Sequence, residues 1–324
     1  MEKINFKKIA KKVIETEINS LKKLKFALKK SFNDAVELII NCKNGKVVIS
    51  GVGKSGIIGK KISSTLASVG TPSFFVDASS CSHGDLGQIG KNDLLILISF
   101  SGESFELKNI IQYVKRNKIP LIGIVSKKNS LLYKSSNVKL LIPEVIEADP
   151  NGIVPTSSTI IQLAIGDALA IATMKYKKFG KLEFKKFHPS GSLSIKLKTV
   201  EDLMITGNKI PFVNENILMK NALKIITRKK LGMVVVKNKK GQTSGIVVDG
   251  DIKRITNKKT NIGDIEIKKI MKKNPVSVEK DLLAAEALSI MNAKKITSLC
   301  VHAKNKKKTV GVIHIHNILQ ANIN

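Results

Sequence analysis

Apolar residues in the first 43 positions fall at three- and four-residue spacing, as at Ile14, Ile18, Leu21, Leu24 and Leu28. That period predicts an amphipathic helical segment, expected to pack on the following domain or on a second subunit. From Lys46 the rhythm changes to short aliphatic runs separated by helical patterns. The reading is a strand over Val47 to Ser50, a glycine loop, a helix to Val69 and a strand from Ser73 to Val76. Next come a strand from Leu94 to Ser99, a helix from Glu103 to Arg116, strands at Leu121 to Val125 and Val138 to Ile142, and a long apolar helix from Ser157 to Tyr176. Apolar strands joined by helices predict a parallel sheet covered on both faces, a doubly wound α/β domain.

After His188 two stretches resemble each other, Asp202 to Ile255 and Lys269 to Leu319, offset by about 65 residues. Each has a methionine (Met204; Met271), then a proline (Pro211; Pro275), then an Ala-Leu helix (Ala222-Leu223; Ala287-Leu288). A β run follows (Met233 to Val236; Ser298 to Val301), and then a strand led by glycine (Gly245 to Val248; Gly311 to His314). Two copies of a small β/α unit predict a paired module.

At 324 residues the chain exceeds one ordinary core, in keeping with several domains. No run of 18 or more apolar residues occurs, and Met1 to Lys12 is lysine-rich without the apolar core of a secretory signal. A cytoplasmic protein without membrane attachment is expected. Cys42, Cys81 and Cys300 are far apart, which predicts reduced thiols and no metal site. The net charge of +31 raises the question of nucleic acid, but of 56 basic residues Arg116, Arg228 and Arg254 are the sole arginines. Bidentate phosphate and base recognition favours arginine, so lysine spread through every segment reads as solvated surface, with no nucleic-acid partner.

Candidate chemistry lies in the loops after the strands. Val47 to Gly56 reads VVISGVGKSG, in which Gly51, Gly53 and Gly56 satisfy GxGxxG and Asp77 closes the next strand. A strand turning through glycines into a helix offers free N–H groups and a positive helix end to a phosphate, with Lys54 adding charge. The same pattern is the dinucleotide fingerprint, so a nicotinamide-dependent dehydrogenase stays open at this point. The next loop, Ser99-Phe100-Ser101-Gly102-Glu103-Ser104, gathers hydroxyls around a glycine, and Thr156-Ser157-Ser158-Thr159 opens the long helix. Singly, each hydroxyl could be a helix cap; together they suit a compact phosphosugar better than a dinucleotide.

GVGKSG, the SFSGES loop and VPTSST resemble the sugar isomerase (SIS) domain, and further phrases agree: GTPSFFV at Gly70 to Val76, HGDLG at His83 to Gly87, GDALA at Gly166 to Ala170, and HPSGSL at His188 to Leu193. An SIS domain followed by two CBS repeats resembles the D-arabinose 5-phosphate isomerase family. The resemblance implies a flavodoxin-like SIS domain over residues 44–188 after a helical segment 1–43, a linker 189–201, and CBS repeats at 202–257 and 268–324. It implies interconversion of D-ribulose 5-phosphate and D-arabinose 5-phosphate through an enediol, without metal or cofactor, by a catalytic group on Lys54, Glu106, Glu147 and His188. Gly53, Ser55, His83, Ser99, Ser101, Ser104, Thr156, Ser157 and Ser158 would bind substrate and phosphate. Phe100, Ser80 and Ser190 depart from the family's pattern. In the CBS pair, Asp251 matches the ribose-binding acid of nucleotide sites, while its counterpart is Asn317, so an adenine or sugar nucleotide regulator would have one acidic cleft. A homotetramer supplying 3-deoxy-D-manno-octulosonate for lipopolysaccharide is the implied context. A non-catalytic phosphosugar sensor and an isomerase of another phosphosugar are the alternatives.

Overall fold

The computed structural model describes residues 4–188, 195–256, 261–303 and 307–323. They form two compact units, Met1–Phe187 and His188–Asn324. The first unit begins with helices α1 (Phe6–Ala27) and α2 (Lys30–Asn41) and continues through β1 (Val47–Gly51), α3 (Gly53–Ser68), β2 (Ser73–Asp77), β3 (Leu94–Ile98) and α4 (Leu107–Arg116). It ends with β4 (Leu121–Val125), α5 (Leu131–Ser135), β5 (Val138–Leu141), α6 (Ser157–Tyr176) and α7 (Lys181–Phe187).

The five strands pair in parallel in the order β2-β1-β3-β4-β5. Alternation along each strand divides the core in two. Val47, Ile49, Ile96, Ile98, Ile122 and Ile124 face one layer, with Leu24 of α1, Ile39 of α2, Ile62 of α3 and Ile161 of α6. Val48, Leu95, Leu97, Leu121 and Val125 face the other, with Ile110 of α4 and Leu132 of α5. A sheet buried on both faces explains why its strands read as unbroken aliphatic runs.

Helix α6 is the one described helix long and apolar enough to cross a membrane by length and composition. Here its Ile161, Ile165, Leu169 and Ala170 are buried in the core instead. Gly166 lets it lie directly on α3: a Cβ there would sit 2.2 Å from Cδ1 of Ile62. One turn of α3 beside it carries Lys61, which pairs with Asp167.

The second unit contains two four-stranded sheets. The strands are β6 (Ile205–Thr206), β7 (Phe212–Asn214), β8 (Met233–Lys237), β9 (Thr243–Val248), β10 (Lys272–Lys273), β11 (Ser277–Glu279), β12 (Ser298–His302) and β13 (Thr309–His314). The helices are α8 (Val200–Leu203), α9 (Met219–Lys229), α10 (Asp249–Thr256), α11 (Ala284–Lys294) and α12 (Ile315–Gln320). Their sheets run β10-β9-β8-β7 and β11-β12-β13-β6. Each repeat therefore lends its leading strand to the other: β6 pairs with β13, and β10 with β9. The glycine that leads each long strand admits that visitor, since a Cβ on Gly245 would meet the Lys272 carbonyl at 2.5 Å and one on Gly311 would meet Met204 Sδ at 2.4 Å. A shared apolar cluster of Ile210, Met233, Val235, Cys300 and Val312 seals the pair.

Replacing Gly166 by leucine is expected to lower the stability of the chain by about 1–3 kcal/mol, the usual cost of overpacking a tight contact. Urea denaturation measures this, and a second change, Ile62→Ala, should recover part of the loss by vacating the space the leucine needs.

Candidate active site

In a parallel sheet every strand delivers its following loop to the same edge, and ligands favour the crevice where the strand order reverses. Here the reversal lies between β1 and β3, which pair with Gly51 beside Ile98. The glycine loop and the serine loop thus emerge side by side. Close packing dictates the glycines, for a Cβ on Gly51 would lie 2.9 Å from the Ile98 carbonyl and one on Gly56 only 2.7 Å from that of Gly51. Gly53 starts α3 with a φ of +56°, a left-handed conformation that favours glycine. Lys54 follows it, exposed on the first turn, and Ser55 is half-buried beside it. No side chain caps α3, so its amino end presents backbone N–H groups to the crevice.

The serine loop is shaped by its own hydroxyls. Buried Ser99 Oγ accepts from the Gly102 amide at 3.0 Å and lies 3.1 Å from Ser104 Oγ, while Ser101 Oγ accepts from the Glu103 amide at 3.3 Å. Gly102 (φ +72°) packs so tightly that an added Cβ would sit 2.3 Å from Ser130 Oγ. Glu103, which the sequence did not single out, accepts from the Leu131 amide at 2.9 Å and ties the loop to α5. This turn delays the helix: α4 begins at Leu107, not at Glu103, and Glu106 is its N-cap residue, half-buried, without a side-chain capping bond. Glu106 therefore stands at the mouth of the loop and not one turn along a helix.

The third hydroxyl cluster comes to the same edge by way of α6. Ile62 meets Gly166 and Gly70 meets Phe179, so α3 and α6 run side by side in the same direction. Their amino ends then lie at a common level. Glu147 Oε2 closes the amino end of α6, accepting from the Thr156 amide (2.8 Å), Thr156 Oγ1 (3.0 Å) and the Ser158 amide (3.2 Å). Burial works to raise the Glu147 pKa, but hydrogen bonds from Ser158 and Thr156 outweigh it and hold the carboxyl below its ordinary value. Ser157 Oγ is fully buried, with no hydrogen-bond partner among the described residues. Thr156 Oγ1 also accepts from the Ala148 amide at 2.9 Å, fastening the loop that carries Glu147.

His83 is exposed on the turn Ser80–His83 after β2, a turn joined to α4 by the Asn109–Ser82 bond of 2.9 Å. Asp77, the acid of the dinucleotide fingerprint, accepts from the Ser79 amide at 2.8 Å and so is tied to the chain leading into that turn. His188 opens the second unit and is half-buried. The first unit accordingly gathers Lys54, Glu106 and Glu147 on one edge, whereas His188 belongs to the other unit and Pro189 to Ser194 fall outside the described residues. No group of three or more His, Cys, Asp or Glu side chains suited to a metal ion occurs among the described residues.

In the second unit Asp251 is buried and accepts from the Val248 amide at 3.3 Å. It pairs with Arg254 and, at 3.1 Å, with Lys272. Burial raises its pKa while bonds from Lys272 and Arg254 lower it, and the lowering prevails. At the matching position Asn317 accepts from the His314 amide at 3.2 Å as part of a capping box.

A doubly wound domain with phosphate-type loops at its switch point, joined to a paired β/α repeat, defines the class, and comparison with known proteins names it. Residues 39–172 match the SIS domain, and residues 200–257 and 266–324 each match the CBS domain. Arabinose 5-phosphate isomerase KdsD of Salmonella typhimurium is 39% identical over 98% of this chain and 97% of its own. The KdsD of Escherichia coli K12 gives the same figures. Among solved structures, a protein of E. coli CFT073 in complex with arabinose 5-phosphate is 36% identical with a TM-score of 0.56, covering 58% of this chain and 100% of that one. A phosphosugar isomerase from Bacteroides fragilis follows at 34% and 0.54, covering 57% of this chain and 97% of that one. The chain belongs to the arabinose 5-phosphate isomerase family.

The Glu147 cap has a pH signature. Because its folded pKa lies below the ordinary 4.5, it stabilises the folded state above that pH and ceases to do so as the pH falls through the folded value. Glu147→Gln should therefore be less stable than wild type at neutral pH, by about 0.5–2 kcal/mol as for other lost caps. In denaturant titrations across the acid range, that gap should close as the pH drops below 4.5.

Proposed function

We propose that this chain interconverts D-ribulose 5-phosphate and D-arabinose 5-phosphate. The observation that carries the reading is the pairing of β1 with β3, which sets the uncapped amino end of α3 beside the serine loop, with Lys54 on one and Glu106 on the other. A phosphate held by the α3 amides and the hydroxyls of Ser99, Ser101 and Ser104 would extend the sugar along this crevice.

Isomerisation moves one proton between adjacent carbons. A base removes the proton from C1 of the ketose while an acid protonates the C2 oxygen, giving a neutral enediol. Reprotonation at C2 and loss of the proton on the C1 oxygen then yield the aldose. Glu106, Glu147 and His188 are assigned to these transfers. Glu147, held ionised by the α6 amides, suits proton acceptance over donation. Lys54 is assigned to the negative charge of an enediolate or of the phosphate. His83 is assigned to the pocket wall, and Gly53, Ser55, Thr156 and Ser158 to phosphate and hydroxyl contacts, while the buried Ser157 hydroxyl lies behind that surface.

The setting fits a cytoplasmic homotetramer that supplies 3-deoxy-D-manno-octulosonate synthesis for lipopolysaccharide. The second unit would take an adenine or sugar nucleotide, with Asp251 exchanging an ion pair to Lys272 for ribose hydroxyls. AMP should then raise the melting temperature of the wild-type chain and leave Asp251→Ala unmoved.

Incubation with D-ribulose 5-phosphate, followed by 13C NMR of the products, tests the activity itself. Glu106→Gln is expected to lower turnover by on the order of 10²–10⁴ with the circular dichroism spectrum unchanged. Wild-type turnover by this variant would remove Glu106 from the machinery, and absence of arabinose 5-phosphate with the wild-type protein would overturn the assignment.

A further inference from the structure

A cleft in the second unit has a volume of about 740 Å³ and is lined by Asn214, Glu215, Asn216, Lys237, Lys239 and Gly241, among others. It belongs wholly to the first repeat, at the end where β7 and β8 finish, with Asn214 paired to Lys237. Asp251 lies at the opposite end of the same sheet, since Met233 at the start of β8 pairs with Val248, whose amide binds Asp251. Four residues of extended strand, about 13 Å, separate the two ends.

Cations dominate this cleft. Lys237 is half-buried, with its ammonium over the Phe212 ring 3.0 Å from the centroid. Burial, and then the charge of nearby Lys308, lowers its pKa. Lys239 lines the wall, and Lys268 reaches Asn216 Oδ1 at 3.3 Å. Against these stand Glu215, which accepts from Ser244 Oγ at 3.3 Å, and Glu266, which pairs with Lys268 at 2.9 Å. Among the described residues Lys237 has no acidic partner within ion-pair distance, so a partly desolvated cation faces an open cleft of small-ligand size. The second repeat breaks the symmetry: the strand ends equivalent to Asn214 and Lys237 carry Glu279 and His302, and Asp281 follows close by. At these strand ends the second repeat thus carries an acid and an imidazole where the first carries an amide and an ammonium.

We infer that this cleft is a binding site for a small phosphomonoester, with its phosphate between Lys237 and Lys239 and its organic part against Asn214 and Glu215. It is distinct from the Asp251 end of the repeat.

Pyridoxal 5′-phosphate tests it on the full chain, because its aldehyde condenses with a lysine amine, releasing water, and borohydride fixes the imine for peptide mass spectrometry. Pyridoxal, the same aldehyde without phosphate, controls for amine reactivity. Labelling of Lys237 relative to exposed Lys240 on the same hairpin should be about tenfold greater with the phosphorylated aldehyde, equivalent to about 1.4 kcal/mol of anion recognition. Inorganic phosphate should suppress the excess where chloride of equal ionic strength does not. Lys239→Met, which leaves the isomerase loops untouched, should reduce the excess several-fold. Equal labelling by both aldehydes, or no protection by phosphate, would overturn the proposal.

Discussion

The amino end of a helix leaves backbone N–H groups without partners, and a parallel sheet collects such ends along one edge. That constraint governs the first unit. Once β1, β3 and β5 run the same way, α3, α4 and α6 must begin near one another, and whatever lies there faces converging donors. The chain satisfies these ends unequally. Glu147 occupies the donors of α6, the hydroxyls of Ser99 and Ser101 fold the serine loop ahead of α4, and the start of α3 is left open behind Gly53. An incoming anion therefore meets one vacant helix end flanked by two that are already structured.

Much of this was legible in the sequence because the signals are local. Aliphatic runs located each of the five strands to within a residue, and the long helix from Ser157 to Tyr176 has the expected bounds. The two copies of the repeat stand out because α9 and α11, and β8 and β12, keep a constant offset. What escaped detection depends on contacts distant in sequence. The start of α4 shifted to Leu107 because Gly102 and Glu103 accept hydrogen bonds from the amides of Leu132 and Leu131, which nothing near residue 103 announces. Glu147 reads as a loop acid until the fold brings it to Thr156 and Ser158.

The exchange of β6 and β10 between the repeats was equally hidden. Both are two residues long, and Lys272 and Lys273 have no strand character of their own. The clue was Gly245 and Gly311, noted as leading their strands, whose missing side chains make room for the visitors. Asp77 shows the converse, a residue whose spacing fits a nucleotide fingerprint but whose carboxylate is committed to the turn after β2.

The crossed strands also bear on engineering. Neither repeat owns a complete sheet, so a chain severed between them would expose a naked strand edge on each fragment, a template for aggregation. Strain introduced in one repeat has a covalent route into the hydrogen-bond ladder of its twin, through a β-strand two residues long.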